Sequence, residues 1–185
     1  YNDCRKLIAH LAERRRVIEL AAEHLCREVD MNHVDMVAGG ETAGIPYAAW
    51  LSESLSKPML YVRKQPKGFG RGAQIEGDMP DGARVLLVED LATDGGSKIN
   101  FINALRNGGG LVKDVFVVFF YRAFPGAEEA MAQAGTKLHY LADWNHVLGA
   151  AERGGYFSAA DIAGVRTFLK DPIGWSAMHG GRDKA

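Results

Sequence analysis

Arg84-Val85-Leu86-Leu87-Val88-Glu89-Asp90-Leu91-Ala92-Thr93-Asp94-Gly95-Gly96-Ser97-Lys98 is the stretch that decides the fold. Four consecutive apolar residues, Val85 to Val88, predict a short strand buried on both faces. Two adjacent carboxylates close that strand, and a Thr-Asp-Gly-Gly-Ser turn follows. Ile99, Ile102 and Leu105 then recur at helical spacing up to an Asn107-Gly108 stop. A strand, a Gly-rich turn and a helix N-terminus together build an anion site, because glycines admit a close ligand and backbone N–H groups point at it. Thr93 and Ser97 can add hydroxyl donors to the same phosphate. Glu89 and Asp90 would repel a phosphate set directly on them, but an ionised carboxylate accepts hydrogen bonds from vicinal hydroxyls. One ligand carrying a ribose diol and a phosphate satisfies the whole stretch.

An isolated Gly-Gly-Ser is most often an ordinary tight turn; the full order of strand, acidic pair, loop and helix is far more specific. Two other nucleotide motifs fit poorly. A Walker loop needs Gly-Lys followed by Ser or Thr, whereas Ser97 precedes Lys98. A dinucleotide fingerprint needs a middle glycine that Gly39-Gly40-Glu41-Thr42-Ala43-Gly44 lacks.

That second Gly-rich turn sits in the same kind of unit. His33 to Ala38 reads as a buried strand, and a helix follows through Ala48, Ala49, Leu51 and Leu55, with Pro46 in its first turn. Two strand–loop–helix units place both loops on one edge of a parallel sheet, where ligands bind in α/β folds. The expected fold is therefore α/β, with a central, mostly parallel sheet flanked by helices on both faces. Further strands are expected at Pro58–Val62, Lys113–Tyr121 and Leu138–Leu141. Helices are expected over Glu13–Val29, over Pro125–Ala134 and from Ser158 to Leu169. Val17, Leu20, Ala21, His24 and Leu25 form the apolar face of the first helix, with Glu13-Arg14-Arg15-Arg16 opening onto solvent. Tyr1 to Ile8 reads as an edge strand or loop.

Arg63-Lys64-Gln65-Pro66-Lys67-Gly68-Phe69-Gly70-Arg71-Gly72-Ala73-Gln74-Ile75-Glu76-Gly77 holds four cations and four glycines without helical or strand period. A long cationic loop in a compact domain suits a lid that closes over an anion and excludes water. Arg122, at the end of the apolar Lys113–Tyr121 run, offers a guanidinium fork for a carboxylate on the same sheet edge.

The chain of 185 residues is long enough for one domain with a real core. Its 47% hydrophobic and 24% charged residues are ordinary for a globular protein, and the net charge of -1 gives no general pull toward nucleic acid or membrane. No apolar run approaches the ~18 residues of a membrane span. Cys4 and Cys26 lie far apart, which fits a reducing, cytoplasmic setting. The six histidines show no ligand spacing, so no protein-held metal is expected. Because Tyr1 stands in mid-motif, an upstream segment is expected to be missing.

Val85 to Ser97 resembles the phosphoribosyl-diphosphate (PRPP) signature of type I phosphoribosyltransferases. In that family the acidic pair binds the ribose hydroxyls and the following loop cradles the 5′-phosphate. The resemblance thus implies PRPP contacts from Glu89, Asp90, Leu91, Ala92, Thr93, Asp94, Gly95, Gly96 and Ser97. The Arg63–Gly72 loop resembles that of orotate phosphoribosyltransferases, where it binds the diphosphate and reaches into the partner subunit's site. By that likeness Arg63, Lys64 and Lys67 contact the diphosphate, and Lys67 is the catalytic lysine. Thr93 and Arg122 then face orotate. Mg²⁺ is implied as cofactor, held through substrate rather than side chains, and a homodimer sharing the lid as the assembly. The activity implied is transfer of the phosphoribosyl group to orotate, in pyrimidine biosynthesis. This chain departs from many members at Phe69, where histidine is common, at Ala43, where lysine is common, and at Tyr121, where aspartate often precedes the arginine. A phosphoribosyltransferase for another base and a non-catalytic PRPP-binding regulator are the alternatives.

Overall fold

A computed structural model of the protein describes residues 2–66, 74–93, 95–124 and 126–180. Its centre is a six-stranded sheet built from β1 (Met36–Gly40), β2 (Met59–Val62), β3 (Ile75–Glu76), β4 (Arg84–Ala92), β5 (Leu111–Phe120) and β6 (Lys137–Asp143). The strand order is β3-β2-β1-β4-β5-β6. Every pairing is parallel except β2 with β3, where Tyr61 faces Glu76 and Val62 faces Ile75 in antiparallel register. The expected mostly parallel sheet is what forms.

Helices cover both faces because the central strands are apolar on both. Along β4, Leu86 and Val88 pack with Phe116 and Val118 of β5 against α1 (Leu11–Glu28) and α2 (Gly44–Leu55). Val85 and Leu87 point the other way and meet Phe101, Ile102 and Leu105 of α3 (Gly96–Asn107), with Met131 of α4 (Ala127–Gln133) beside them. Phe101, Phe116, Ile102 and Leu105 are almost wholly buried, and each such side chain contributes roughly 1.5–3 kcal/mol of transfer free energy. From the β1–β4 centre the sheet grows toward β2 through α2 and toward β5 through α3. Right-handed crossovers in opposite directions put those two helices on opposite faces. Three further helices, α5 (Trp144–Gly154), α6 (Ala159–Lys170) and α7 (Pro172–Met178), follow β6. Ser158 caps α6 by accepting the Asp161 N–H, as the sequence pattern suggests.

Four local expectations change. The β4 strand does not stop at its acidic pair but runs on through Ala92, because β5 continues to pair with it: Leu91 lies opposite Phe119 and Ala92 opposite Phe120. Gly39 and Gly40 belong to β1 rather than to the turn after it. The N-terminal stretch forms a 3-10 turn over Lys6–Ala9, not an edge strand. In α1 the buried residues are Ile18, Ala21 and Leu25, while Leu20 is exposed. Arg14 is not simply solvated either, since its guanidinium lies 4.3 Å over the Trp50 ring and donates to the Ile8 carbonyl at 2.9 Å.

Candidate active site

The strand order reverses direction between β1 and β4, and the crevice outside their carboxyl ends is where an open α/β sheet binds ligands. Both Gly-rich turns open there. The first runs from Gly40 through a cis Glu41–Thr42 peptide to Gly44 at the start of α2. The second runs from Thr93 to Gly95, whose φ of 85° is one a side chain would resist, and on into α3. The N-terminus of α3, with its partial positive charge, lies at this edge.

Glu89 and Asp90 sit at 6% and 4% exposure. Neighbouring strand residues point to opposite faces, so the two carboxylates straddle the end of β4. Glu89 turns toward α3, with Oε2 3.7 Å from Lys98 Nζ. Asp90 turns toward the N-terminal segment, with Oδ2 3.7 Å from Arg5 Nε. Glu89 Oε1 and Asp90 Oδ2 are buried and accept no hydrogen bond. Unsatisfied buried acceptors are costly, and vicinal hydroxyls are the donors that would complete both. Burial pushes the Glu89 carboxyl up to about 8; Lys98 opposes that rise, Asp90 adds to it, and Lys64 and Arg5 oppose it. Beneath Asp90, burial together with Asp90 and Asp3 pushes the Cys4 thiol up to about 12. The Tyr47 hydroxyl donates to the Cys4 carbonyl at 2.7 Å.

The first turn supplies room. A Cβ on Gly40 would stand 1.9 Å from Glu89 Oε1 and 2.6 Å from the Phe101 ring. One on Gly44 would stand 2.5 Å from the Val88 carbonyl and 2.6 Å from Glu89 Oε1. These glycines are what let the Glu89 carboxylate lie across the end of β1.

After β2, Lys64 N–H donates to Glu41 Oε2 at 2.8 Å and the Lys64 carbonyl accepts from Asn100 Nδ2 at 3.1 Å. The start of the cationic loop is thus tied to the first turn and to α3. Arg63 pairs with Glu76 at 3.5 Å and exchanges hydrogen bonds with Gln74. Lys67, Phe69 and Asp94 lie outside the described residues. Leu91 and Ala92 put their side chains into apolar clusters, leaving backbone atoms for a ligand. Thr93 and Arg122 leave adjacent strand ends, since Tyr121 N–H still donates to the Ala92 carbonyl at 2.9 Å. The half-exposed Arg122 guanidinium is engaged by Asp143 at 3.6 Å, Glu128 at 3.9 Å and the Tyr140 hydroxyl at 3.4 Å.

Sequence reasoning missed Lys98, Arg5 and the part played by Gly40. For Lys98 a signal existed: with Phe101, Ile102 and Leu105 it occupies positions i, i+3, i+4 and i+7, the buried stripe of α3. No local pattern marks Arg5, which comes to Asp90 through tertiary folding.

A family model described as the phosphoribosyl transferase domain matches residues 6–148. The chain belongs to the phosphoribosyltransferase family. Its curated relatives include an orotate phosphoribosyltransferase of Sinorhizobium medicae, 50% identical over 181 residues, covering 98% of this chain and 78% of the relative. One from Rhizobium rhizogenes is 49% identical over the same shares. Among solved structures, orotate phosphoribosyltransferase from Aeropyrum pernix superposes with a TM-score of 0.70 at 34% identity, covering 85% of each chain. Leishmania donovani UMP synthase gives a TM-score of 0.78 at 27% identity, covering 91% of this chain and 35% of that one. In this phosphoribosyltransferase the acidic pair lies at the carboxyl end of β4, immediately before the turn that leads into α3. Ala43, buried beside the first turn, brings no charge to it.

Proposed function

We propose that this chain transfers the 5-phosphoribosyl group of PRPP to orotate, forming orotidine 5′-phosphate and diphosphate. The observation that carries the reading is the pair of buried acceptors, Glu89 Oε1 and Asp90 Oδ2, without hydrogen bonds at the end of the strand that leads into α3. In the reaction the C1′–oxygen bond breaks, the electron pair leaves with diphosphate, and orotate N1 bonds to C1′ as its proton passes to diphosphate or solvent. Positive charge develops on the sugar as the bond breaks. Glu89 and Asp90 hold the ribose hydroxyls, and Thr93, Asp94, Gly95, Gly96 and Ser97 hold the 5′-phosphate, with Leu91 and Ala92 contributing backbone. Arg63, Lys64 and Lys67 place cations on the departing diphosphate, the group on which negative charge builds. Thr93 and Arg122 orient orotate.

Mg²⁺ suits this donor set as a substrate-borne ion. The described residues hold no group of three histidine, cysteine or carboxylate ligands, and Mg²⁺ keeps several waters when it bridges phosphate oxygens. Bound that way it would neutralise diphosphate charge. A homodimer sharing the lid would complete each site with the partner's Lys67. The free thiols of Cys4 and Cys26 suit the cytoplasm. No described helix is long and apolar enough to cross a membrane.

Orotate consumption followed by absorbance, with PRPP and Mg²⁺ and against uracil, adenine and hypoxanthine, tests the reaction. Turnover confined to orotate supports it. Turnover on another base reassigns the acceptor, and PRPP binding without turnover on any base indicates a regulator. Lys67→Ala should lower kcat strongly with little change in Tm. Mixed Lys67→Ala and Asp90→Asn subunits should regain activity, since one intact site forms per heterodimer. No rescue in confirmed heterodimers would make each site self-contained.

A further inference from the structure

We propose that Lys98 is a positioning residue that couples the two ends of the PRPP site, acting on the ribose end through Glu89 and on the phosphate end through Ser97. The inference rests on the reading of that site given above. A lysine at 6% exposure is rare without a purpose for its charge. Its ammonium stands 3.7 Å from Glu89 Oε2 and donates to Ser97 Oγ at 3.1 Å. By donating to Ser97 Oγ, Lys98 leaves the serine's own proton to point outward, where a phosphate oxygen would accept it. By facing Glu89 Oε2, it favours the ionised carboxylate while Oε1 keeps no hydrogen-bond partner of its own.

The other groups around Glu89 do not take this part. Asp90, on the same strand, repels the charge; Gly40 of β1 and Gly44 of α2, which lie against Glu89 Oε1, carry no side chain. Lys64 beyond β2 and Arg5 from the N-terminal segment act at longer range, and Arg5 is paired with Asp90. Lys98 is therefore the cation set against Glu89 among the described residues. A buried charge loses less of its Coulomb interaction to solvent than an exposed one.

The test is PRPP affinity by titration, and kcat/KM for PRPP with orotate, from about pH 6 to about pH 10 in the full chain. Wild type, Lys98→Met and Lys98→Arg are compared. Lys98→Met should move the acid limb of PRPP binding upward by about one pH unit, so that affinity near neutrality falls roughly tenfold and recovers at high pH to within about threefold of wild type, the remainder being the lost Ser97 contact. The loss should appear in KM rather than kcat, and Lys98→Arg should restore the wild-type limb. A loss of equal size at every pH, or none, overturns the proposal. If Lys98→Met fails to fold, the Glu89→Gln/Lys98→Met double variant removes both buried charges. Compared with Glu89→Gln alone, it should bind PRPP within about threefold, and a further tenfold loss would overturn the coupling. Titration with PRPP alone reads this outcome even if orotate proves to be the wrong acceptor, and absence of PRPP binding by wild type would overturn the reading of the site instead.

Discussion

The β1–α2 and β4–α3 units follow one local plan, yet they do opposite work. Each is a buried parallel strand, a Gly-containing turn and a helix on the same sheet edge. The β4–α3 unit supplies chemistry: Glu89, Asp90, Ser97 and Lys98 are its polar side chains at the edge. The β1–α2 unit supplies vacancy. Gly40 and Gly44 clear the volume that Glu89 occupies, and buried Ala43 adds no charge. A Gly-rich turn is thus not a ligand site in itself; in the β1–α2 unit the glycines make room for a neighbouring carboxylate.

The sharpest way to break this contrast is Gly40→Ala. Its Cβ would overlap both Glu89 Oε1 and the Phe101 ring, and overpacking of this kind costs typically 1–3 kcal/mol, about that or more here. We expect a lowered Tm and loss of measurable PRPP binding; wild-type binding would show that Glu89 can move aside freely. Next is Asp90→Asn, which removes a charged acceptor worth about 1.5–3 kcal/mol. PRPP affinity should fall about ten- to a hundredfold with the fold intact, and unchanged affinity by titration would remove Asp90 from the ribose.

Glu89→Gln separates burial from binding. Because the Glu89 carboxyl is raised from 4.5 to about 8 in the folded protein, its proton favours the fold fully below about pH 4.5. That contribution is lost as pH rises through about 8. The ligand-free wild type should therefore lose Tm relative to Glu89→Gln across that window, and parallel curves would mean the carboxyl ionises at its ordinary value. The smallest effect belongs to Glu41→Ala in the first unit. It deletes one exposed hydrogen bond to Lys64 N–H, worth about 0.5–1 kcal/mol, and should change the KM for PRPP no more than about threefold. A loss as large as that of Asp90→Asn would give the first unit chemistry of its own.

Much of this architecture was legible because apolar runs and glycines are local signals. Val85–Val88 and Val115–Tyr121 have no polar face to offer water, so they had to become interior strands. Asn107-Gly108 and Ser158 mark helix ends by local chemistry alone. The errors share one cause. The length of β4, the exposure of Leu20 and the stacking of Arg14 on Trp50 depend on partners far away in sequence.

The sequence by itself therefore determined the two strand–turn–helix units, the parallel class of the sheet and the acidic pair before a phosphate-type loop. Those follow from side-chain period, glycine freedom and charge within a few residues. Tertiary structure alone decided that β1 and β4 are neighbours, that Glu89 and Asp90 straddle the strand end, and that Arg5 and Lys98 become their counter-ions. Strand order and burial are set by the packing of the whole chain, and only burial turns an acid and a base into an interacting pair.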